Sequence, residues 1–422
     1  MAVLTDKFGR AITDLRISIT DRCNYKCVYC RTGNEGALYG ELPFDDYLRM
    51  ARVLVGMGIR KVRLTGGEPL LRKGIIEFVR DLRRLEPQGL KPPSIKASFG
   101  TAEAVPSHPV LVAASAAVSS HEPFRTGVGS SGLAEAERNA TDSCDAANEH
   151  EPSSAGAVQL RPARERWVAG GGHPEFRRDD PDNELDIAIT TNGHLLADMA
   201  QPLKDAGLNR ITVSMDAVDP DRFTRITRVS GGYDHVLAGI RAARRAGLWP
   251  LKVNCVLMRG FNEDQIIPFG MFAREEGVVV RFIEFMPLEE GRTWVPETVV
   301  TLEEILQRMR EYRPLVEIPR ARSETARRYR FDDGVGEIGI IAPVSHPFCG
   351  HCSRIRITSD GKIRTCLFSV WDHDLHELMR GGASDDELVG FIQNVVSKKE
   401  ERHHIGEPDF VPASRTMVHI GG

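Results

Sequence analysis

Six of the eight cysteines fall into two triplets at opposite ends of the chain. Cys23, Cys27 and Cys30 form a C-x3-C-x2-C run, and Cys349, Cys352 and Cys366 form C-x2-C-x13-C. Three thiolates per group suit a cubane iron–sulfur cluster, which normally takes four cysteines, so one iron is left open to another ligand. A structural zinc instead wants four protein ligands in a closed tetrahedron. His351 could complete such a zinc site at the second triplet. No histidine lies near the first, whose surroundings are Arg22, Tyr25, Lys26, Tyr29 and Arg31. Of the other two cysteines, Cys255 lies in the apolar stretch Leu251–Leu257 and reads as a small buried hydrophobe, while Cys144 has no assigned role.

Loops of this kind need a scaffold. Strand-type runs at Leu15–Thr20, Lys61–Thr65, Asp186–Thr190, Arg210–Met215, Leu251–Leu257 and Val279–Glu284 alternate with helical patterns. The helical patterns are Asp45–Gly56, Gly74–Leu85, Leu195–Asp205, Tyr233–Ala246 and Glu263–Glu275. Six βα units in succession predict an α/β fold, a partial six-stranded (β/α)6 barrel of the TIM type, since no Gly-rich dinucleotide turn is present. The first triplet then occupies the loop after the first strand, at the edge where such barrels place their active sites. The loop after the second strand reads Thr65-Gly66-Gly67-Glu68-Pro69. Its glycines allow close backbone approach, and Glu68 offers an acceptor to a cationic amine.

A segment at about 92–183, rich in Ala, Ser, Gly and Pro, breaks the period and reads as a mostly disordered insertion in an αβ connection, away from the active edge. From Met286 onward the character changes, which predicts a barrel domain over 1–285 and a smaller domain over 286–422 covering the barrel mouth. The net charge of −4 gives no sign of nucleic acid or an anionic membrane as a bulk partner, and local arginines must hold any anionic substrate. No apolar run approaches the ~18 residues of a membrane helix. Clustered thiols without a signal-peptide pattern imply a reducing compartment, so a cytoplasmic location is expected, with a processed organellar form left open.

The three-cysteine loop after a first barrel strand, followed by Gly-Gly-Glu-Pro after the second, resembles the radical S-adenosylmethionine superfamily. The second triplet with Ser353-Arg354-Ile355-Arg356 narrows the resemblance to the MoaA-type GTP 3′,8-cyclase family of molybdenum cofactor biosynthesis. LRISITDRCNYKCVYC, VRLTGGEPLLR, TTNG, VSMDA, RFIEFMPL and the terminal Gly-Gly all look like that family, which covers nearly the whole chain outside the insertion. The resemblance implies two [4Fe–4S] clusters, one on each triplet, and S-adenosylmethionine chelated by the open iron of the first. It implies a 5′-deoxyadenosyl radical that takes H3′ of GTP, and a C3′–C8 bond in the product. The second cluster would bind the guanine.

Residue by residue, Tyr29, Gly66, Gly67, Glu68, Ser214 and Met286 match positions for S-adenosylmethionine. Arg16, Arg63, Thr190, Lys252, Arg354 and Arg356 match positions for GTP, and Arg354, Arg356, Gly421 and Gly422 match catalytic positions. The arginines make physical sense, because a triphosphate carries about four negative charges and the planar guanidinium fork binds two oxygens at once. A MoaC-type cyclic pyranopterin synthase downstream and a flavodoxin or ferredoxin as electron donor are the implied partners; a homodimer is left open. His403, His404, His373 and His376 read as surface residues. The alternatives are another radical enzyme with an auxiliary cluster, such as a peptide maturase, and a zinc-binding interaction module.

Overall fold

The computed structural model describes residues 3–30, 38–85, 184–289, 294–321 and 323–420. The insertion expected at about 92–183, Cys144 within it, and the terminal Gly421 and Gly422 lie outside these residues.

All six expected strands form: β1 (Asp14–Ser18), β2 (Lys61–Thr65), β3 (Asp186–Thr191), β4 (Arg210–Ser214), β5 (Lys252–Leu257) and β6 (Val279–Glu284). They lie side by side in chain order and all neighbours are parallel. Helices α1 (Phe44–Gly56), α2 (Ile75–Arg83), α3 (Leu196–Asp205), α4 (Pro220–Thr227), α5 (Gly232–Arg245) and α6 (Ile266–Glu275) fall in the connections. Five were expected. The short α4 was not; Asp219 caps it by accepting from the Arg222 N–H, and Pro220 stands at its first position, where no N–H is needed.

The C-terminal segment continues the same sheet. After α7 (Leu302–Tyr312) come β7 (Leu315–Ile318), β8 (Arg327–Phe331), β9 (Glu337–Ile341), β10 (Arg354–Ile357), β11 (Lys362–Arg364) and β12 (His373–Asp374). Strand β9 pairs parallel with β6, and β10 pairs parallel with β1, so the C-terminal segment extends the partial barrel at both edges. Antiparallel β8–β7 and β11–β12 finish the twelve-stranded order. The helices α8 (Leu375–Arg380), α9 (Asp385–Ser397) and α10 (Met417–Ile420) follow.

Every inner strand alternates. Leu15 and Ile17, Val62 and Leu64, Ile187 and Ile189, Val253 and Cys255, Val280 and Phe282, Ile338 and Ile340, and Ile355 and Ile357 are buried on the helix-covered face. Burying each such side chain contributes about 1.5–3 kcal/mol. The intervening positions are mostly polar: Arg16, Arg63, Thr190, Ser214, Asn254, Arg281 and Arg356. Strands buried on both faces would read as continuous apolar runs, so this alternation marks the second face as a binding surface. Residues from all eight parallel strands line one cavity. A flat sheet of that width would span roughly 30 Å at about 4.8 Å per strand, so the sheet must curve around the cavity.

Candidate active site

The first triplet stands in the β1–α1 loop. Three neighbours fix its backbone: Lys26 N–H donates to the Thr227 carbonyl (3.2 Å), Val28 N–H to Ile226 (3.0 Å), and Cys30 N–H to Cys27 (3.0 Å). The unexpected helix α4 thus has a purpose, since its last carbonyls hold the cysteine loop. The second loop packs directly on the first. Gly67 N–H donates to the Thr20 carbonyl (2.8 Å) and Glu68 N–H to Arg22 (2.7 Å). A Cβ on Gly66 would lie 2.2 Å from the Thr20 carbonyl oxygen, and one on Gly67 would lie 2.2 Å from that of Arg22. Both glycines are therefore demanded by the protein's own backbone, in addition to any ligand.

Glu68 is fully buried and does not line the cavity. Its carboxylate accepts from Thr191 Oγ1 (2.8 Å), Leu70 N–H (2.9 Å) and Asn192 N–H (2.6 Å), tying the loop to the end of β3. Burial pushes its pKa up to about 7 against those hydrogen bonds. The sequence suggested an acceptor for a cationic amine; the structure engages both oxygens internally.

Cys23, Cys27, Cys30, Tyr29, Gly66, Gly67, Ser214 and Met286 all border the cavity, and so do Arg16, Arg63, Thr190, Arg354, Arg356, Cys349, Cys352 and Cys366. The cavity holds 290 Å³. Lys252 does not line it. It is one inward position deeper along β5 than Asn254, which does line the cavity together with Arg281. Sequence reasoning missed Arg281, yet it alternates in phase with the inward set of β6, so the period-2 pattern carried the signal. It also missed Asp216, whose Oδ2 accepts from the Tyr29 hydroxyl (2.6 Å) and whose Oδ1 accepts from Val256 N–H (2.8 Å). Burial raises its pKa to about 6.

The arginines form a ladder. Arg356 on β10, Arg16 on β1 and Arg63 on β2 are Cα partners in register on three adjacent strands. Like charges placed opposite each other destabilise a sheet. Burial, then Arg354, lowers the Arg16 pKa to about 10, despite opposing effects of Asp14 and Cys352. Burial, then Arg16 and Arg210, lowers that of Arg281 to about 9, and Arg63 and Lys252 are depressed further by burial and neighbouring cations. Hydrogen bonds to neutral partners offset part of this cost: Arg63 Nη1 donates to Thr190 Oγ1 (3.1 Å) and Thr212 Oγ1 (3.2 Å), and Arg281 Nε donates to Asn254 Oδ1 (2.9 Å). Such a surface is built for a polyanion.

At the second triplet, Cys349 opens a short turn after β9 and Cys352 precedes β10, while Cys366 follows β11. An N-terminal clamp steadies this region: Arg10 pairs with Asp6 (2.5 Å) and donates to the carbonyls of Cys349 (2.9 Å) and Glu401 (2.7 Å). Lys399 Nζ donates to the Arg354 carbonyl (3.0 Å). Burial would push Cys352 up, but Arg354 and Lys399 outweigh it and bring the thiol down to about 7. His351 is exposed and off the cavity. His403, read from sequence as a surface residue, lines it.

The donor set fits cubane clusters better than zinc. A tetrahedral zinc with bonds of about 2.3 Å gathers its sulfurs within about 3.8 Å of one another. Neither triplet has all three sulfurs within 4.8 Å; among the described residues only His404, Glu407 and Asp409 converge so tightly. Thiolates on a cubane bind separate irons and stand wider. Burial and the mutual repulsion of neighbouring anionic groups also hold the Cys27 thiol well above its ordinary pKa, which a cationic cluster would reverse.

A curved parallel sheet with a three-cysteine loop packed on a Gly-Gly loop defines the radical S-adenosylmethionine class. The family model described as the radical SAM superfamily matches residues 17–110 and 161–273, and the one described as Molybdenum Cofactor Synthesis C matches 278–405. A GTP 3′,8-cyclase of Rhodopirellula baltica is 33% identical over 99% of this chain and 92% of its own length. That of Corynebacterium glutamicum is 34% identical over 100% and 89%. The crystal structure of Streptococcus suis SuiB bound to S-adenosylmethionine superposes with a TM-score of 0.52 at 13% identity, covering 96% of this chain and 76% of that one, which is a likeness of fold. The chain belongs to the GTP 3′,8-cyclase family of radical S-adenosylmethionine enzymes. Membership brings a [4Fe–4S] cluster and S-adenosylmethionine as cofactors. No helix among the described residues is long and apolar enough to cross a membrane.

Proposed function

We propose that this protein converts GTP to (8S)-3′,8-cyclo-7,8-dihydroguanosine 5′-triphosphate, the first step of molybdopterin biosynthesis. One observation carries the reading: two three-cysteine groups and a ladder of inward-facing arginines border a single cavity. A peptide substrate would not require so concentrated a set of cations.

In this reading Cys23, Cys27 and Cys30 hold the cluster of the barrel portion, residues 1–285. Cys349, Cys352 and Cys366 hold a second [4Fe–4S] cluster in the portion from 286 to 422. Tyr29, Gly66, Gly67, Ser214 and Met286 shape the S-adenosylmethionine subsite, and Asp216 fixes the Tyr29 ring by accepting a hydrogen bond from its hydroxyl (2.6 Å). Arg16, Arg63, Arg281 and Thr190 bind the triphosphate, with Lys252 adding charge from the layer beneath. Arg354 and Arg356 orient the nucleotide beside the second triplet. Arg356 also donates to the Ile420 carbonyl (3.4 Å), which ties the end of α10 to β10; Gly421 and Gly422, the other two catalytic residues of this reading, follow it in sequence. When bound, the first cluster supplies the electron that cleaves the sulfonium of S-adenosylmethionine, and the nucleoside radical so released takes H3′. The buried walls keep that radical from water.

A flavodoxin or ferredoxin reduces the clusters, a MoaC-type cyclic pyranopterin synthase takes the product, and the chemistry belongs in the cytoplasm. The test is anaerobic turnover of GTP deuterated at C3′ with S-adenosylmethionine and dithionite. Deuterium should appear in 5′-deoxyadenosine alongside a cyclised nucleotide. Unlabelled 5′-deoxyadenosine with no nucleotide product would refute the reading.

A further inference from the structure

Helix α9 packs Leu388, Ile392, Val395 and Val396 into the core and ends at Ser397. Two residues on, the backbone N–H of Lys399 still donates to the Val396 carbonyl (3.0 Å). The residue is only 2% exposed, so its ammonium is inside the protein. Its hydrogen bonds go to the carbonyls of Arg354 (3.0 Å) and Thr365. Arg354 stands two residues after Cys352, and Thr365 immediately precedes Cys366.

Both partners are neutral dipoles, which satisfy the N–H groups and leave the charge itself uncompensated. No carboxylate pairs with this ammonium among the described residues. The adjacent Glu400 is engaged elsewhere, accepting from the hydroxyls of Thr365 (2.6 Å) and Ser369 (2.6 Å). A buried charge without a counter-charge is costly, and natural folds keep one where something opposite in sign completes it. Lys399 does not line the cavity, so a bound nucleotide cannot be that partner. The cysteine sulfurs can. Burial pushes the Cys366 thiol up and Lys399 opposes it; at Cys352 burial is opposed by Arg354 and then by Lys399. A cubane core on three thiolates is a net anion, and reduction adds one more negative charge.

We propose that Lys399 is the buried counter-charge of the second cluster and makes that cluster easier to reduce. This rests on the reading in which Cys349, Cys352 and Cys366 hold a [4Fe–4S] cluster. At a given poise of the electron donor, more of the second cluster is then in its reduced state.

The test is an anaerobic redox titration of the cluster-loaded full chain, with dithionite supplying the electron and electron paramagnetic resonance following each cluster. A background with Cys23, Cys27 and Cys30 replaced by Ala identifies the second cluster's transition. Lys399→Gln removes the charge and keeps a donor for the carbonyls; Lys399→Met removes both. Each should weaken reduction of the second cluster about tenfold, since a neighbouring opposite charge is worth about one pKa unit or more. For one electron that is a downward shift of about 59 mV. Iron per chain and the midpoint of the first cluster should not change. An unchanged midpoint in Lys399→Gln overturns the proposal, because the residue would then serve only by its hydrogen bonds. Loss of the second cluster's iron in both variants also overturns it, making Lys399 a prop for the cysteine loops. A single transition with about four iron in wild type would instead remove the second-cluster reading.

Discussion

Replacing Arg16 with Met should make the nucleotide-free protein more stable and the enzyme worse. Arg16 sits between two in-register arginines, and burial with repulsion from Arg354 brings its pKa down to about 10 from 12.5. At 1.36 kcal/mol per pH unit, keeping it charged in the fold costs about 3 kcal/mol. Its side chain still borders the open cavity, where solvent screens charge, so a range of about 1–3 kcal/mol is appropriate. The sign is definite. The cost is present in full below about pH 10 and fades only as pH rises from there toward 12.5. Met keeps the stem's packing and removes the charge, so the melting temperature without nucleotide should rise by a few degrees. GTP should bind about 10- to 150-fold more weakly, the worth of one charge-assisted hydrogen bond to phosphate. Thermal unfolding of cluster-loaded protein, with and without GTP, reads both effects in one experiment. A lower melting temperature with unchanged GTP affinity would show Arg16 to be a structural cation and refute the ladder argument.

Gly67→Ala drives a Cβ to 2.2 Å from the Arg22 carbonyl oxygen and must part the two loops, costing about 1–3 kcal/mol in the hydrogen bonds that join them. Reductive cleavage of S-adenosylmethionine should fall at least about tenfold while GTP affinity barely moves; equal losses in both would speak against a local effect. Glu68 binds its proton more tightly folded than unfolded, so the stability it contributes is present at low pH and lost as pH rises from 4.5 to about 7. Urea unfolding of wild type and Glu68→Gln should therefore diverge by about 2 kcal/mol between pH 5.5 and 8, and parallel curves would contradict the assignment. Cys255→Ala, at a fully buried position that does not line the cavity, should cost about 1 kcal/mol and leave iron per chain unchanged; a loss of iron would make Cys255 a ligand.

The barrel was legible because each strand announces itself twice, through β-type composition and through alternation. The same alternation in Val-Val-Arg-Phe-Ile-Glu turns Arg281 inward, a local property of six residues that the sequence displays by itself. The pairing of the C-terminal strands β9 and β10 is a different matter. Glu-Ile-Gly-Ile-Ile and Arg-Ile-Arg-Ile say nothing of their partners, which stand more than fifty and three hundred residues back in the chain. Long-range pairing is not a local property of sequence. Glu68 shows the other kind of limit. Its residue type allowed an acceptor for a ligand, but only the approach of β3 decided that its oxygens turn inward to Thr191 and Asn192. His403 read as exposed because no cysteine or carboxylate arrangement near it in sequence demands a ligand; the aromatic wall that covers it comes from Phe368, thirty-five residues away.

The central claim is that both cysteine triplets carry clusters at one cavity, and an iron and labile-sulfide count after anaerobic reconstitution tests it most directly. Wild type should hold about eight of each per chain, and replacing Cys349, Cys352 and Cys366 with Ala should leave about four. About four iron in wild type, with one tightly held zinc, would contradict the account and take away the proposed anchor of the nucleotide.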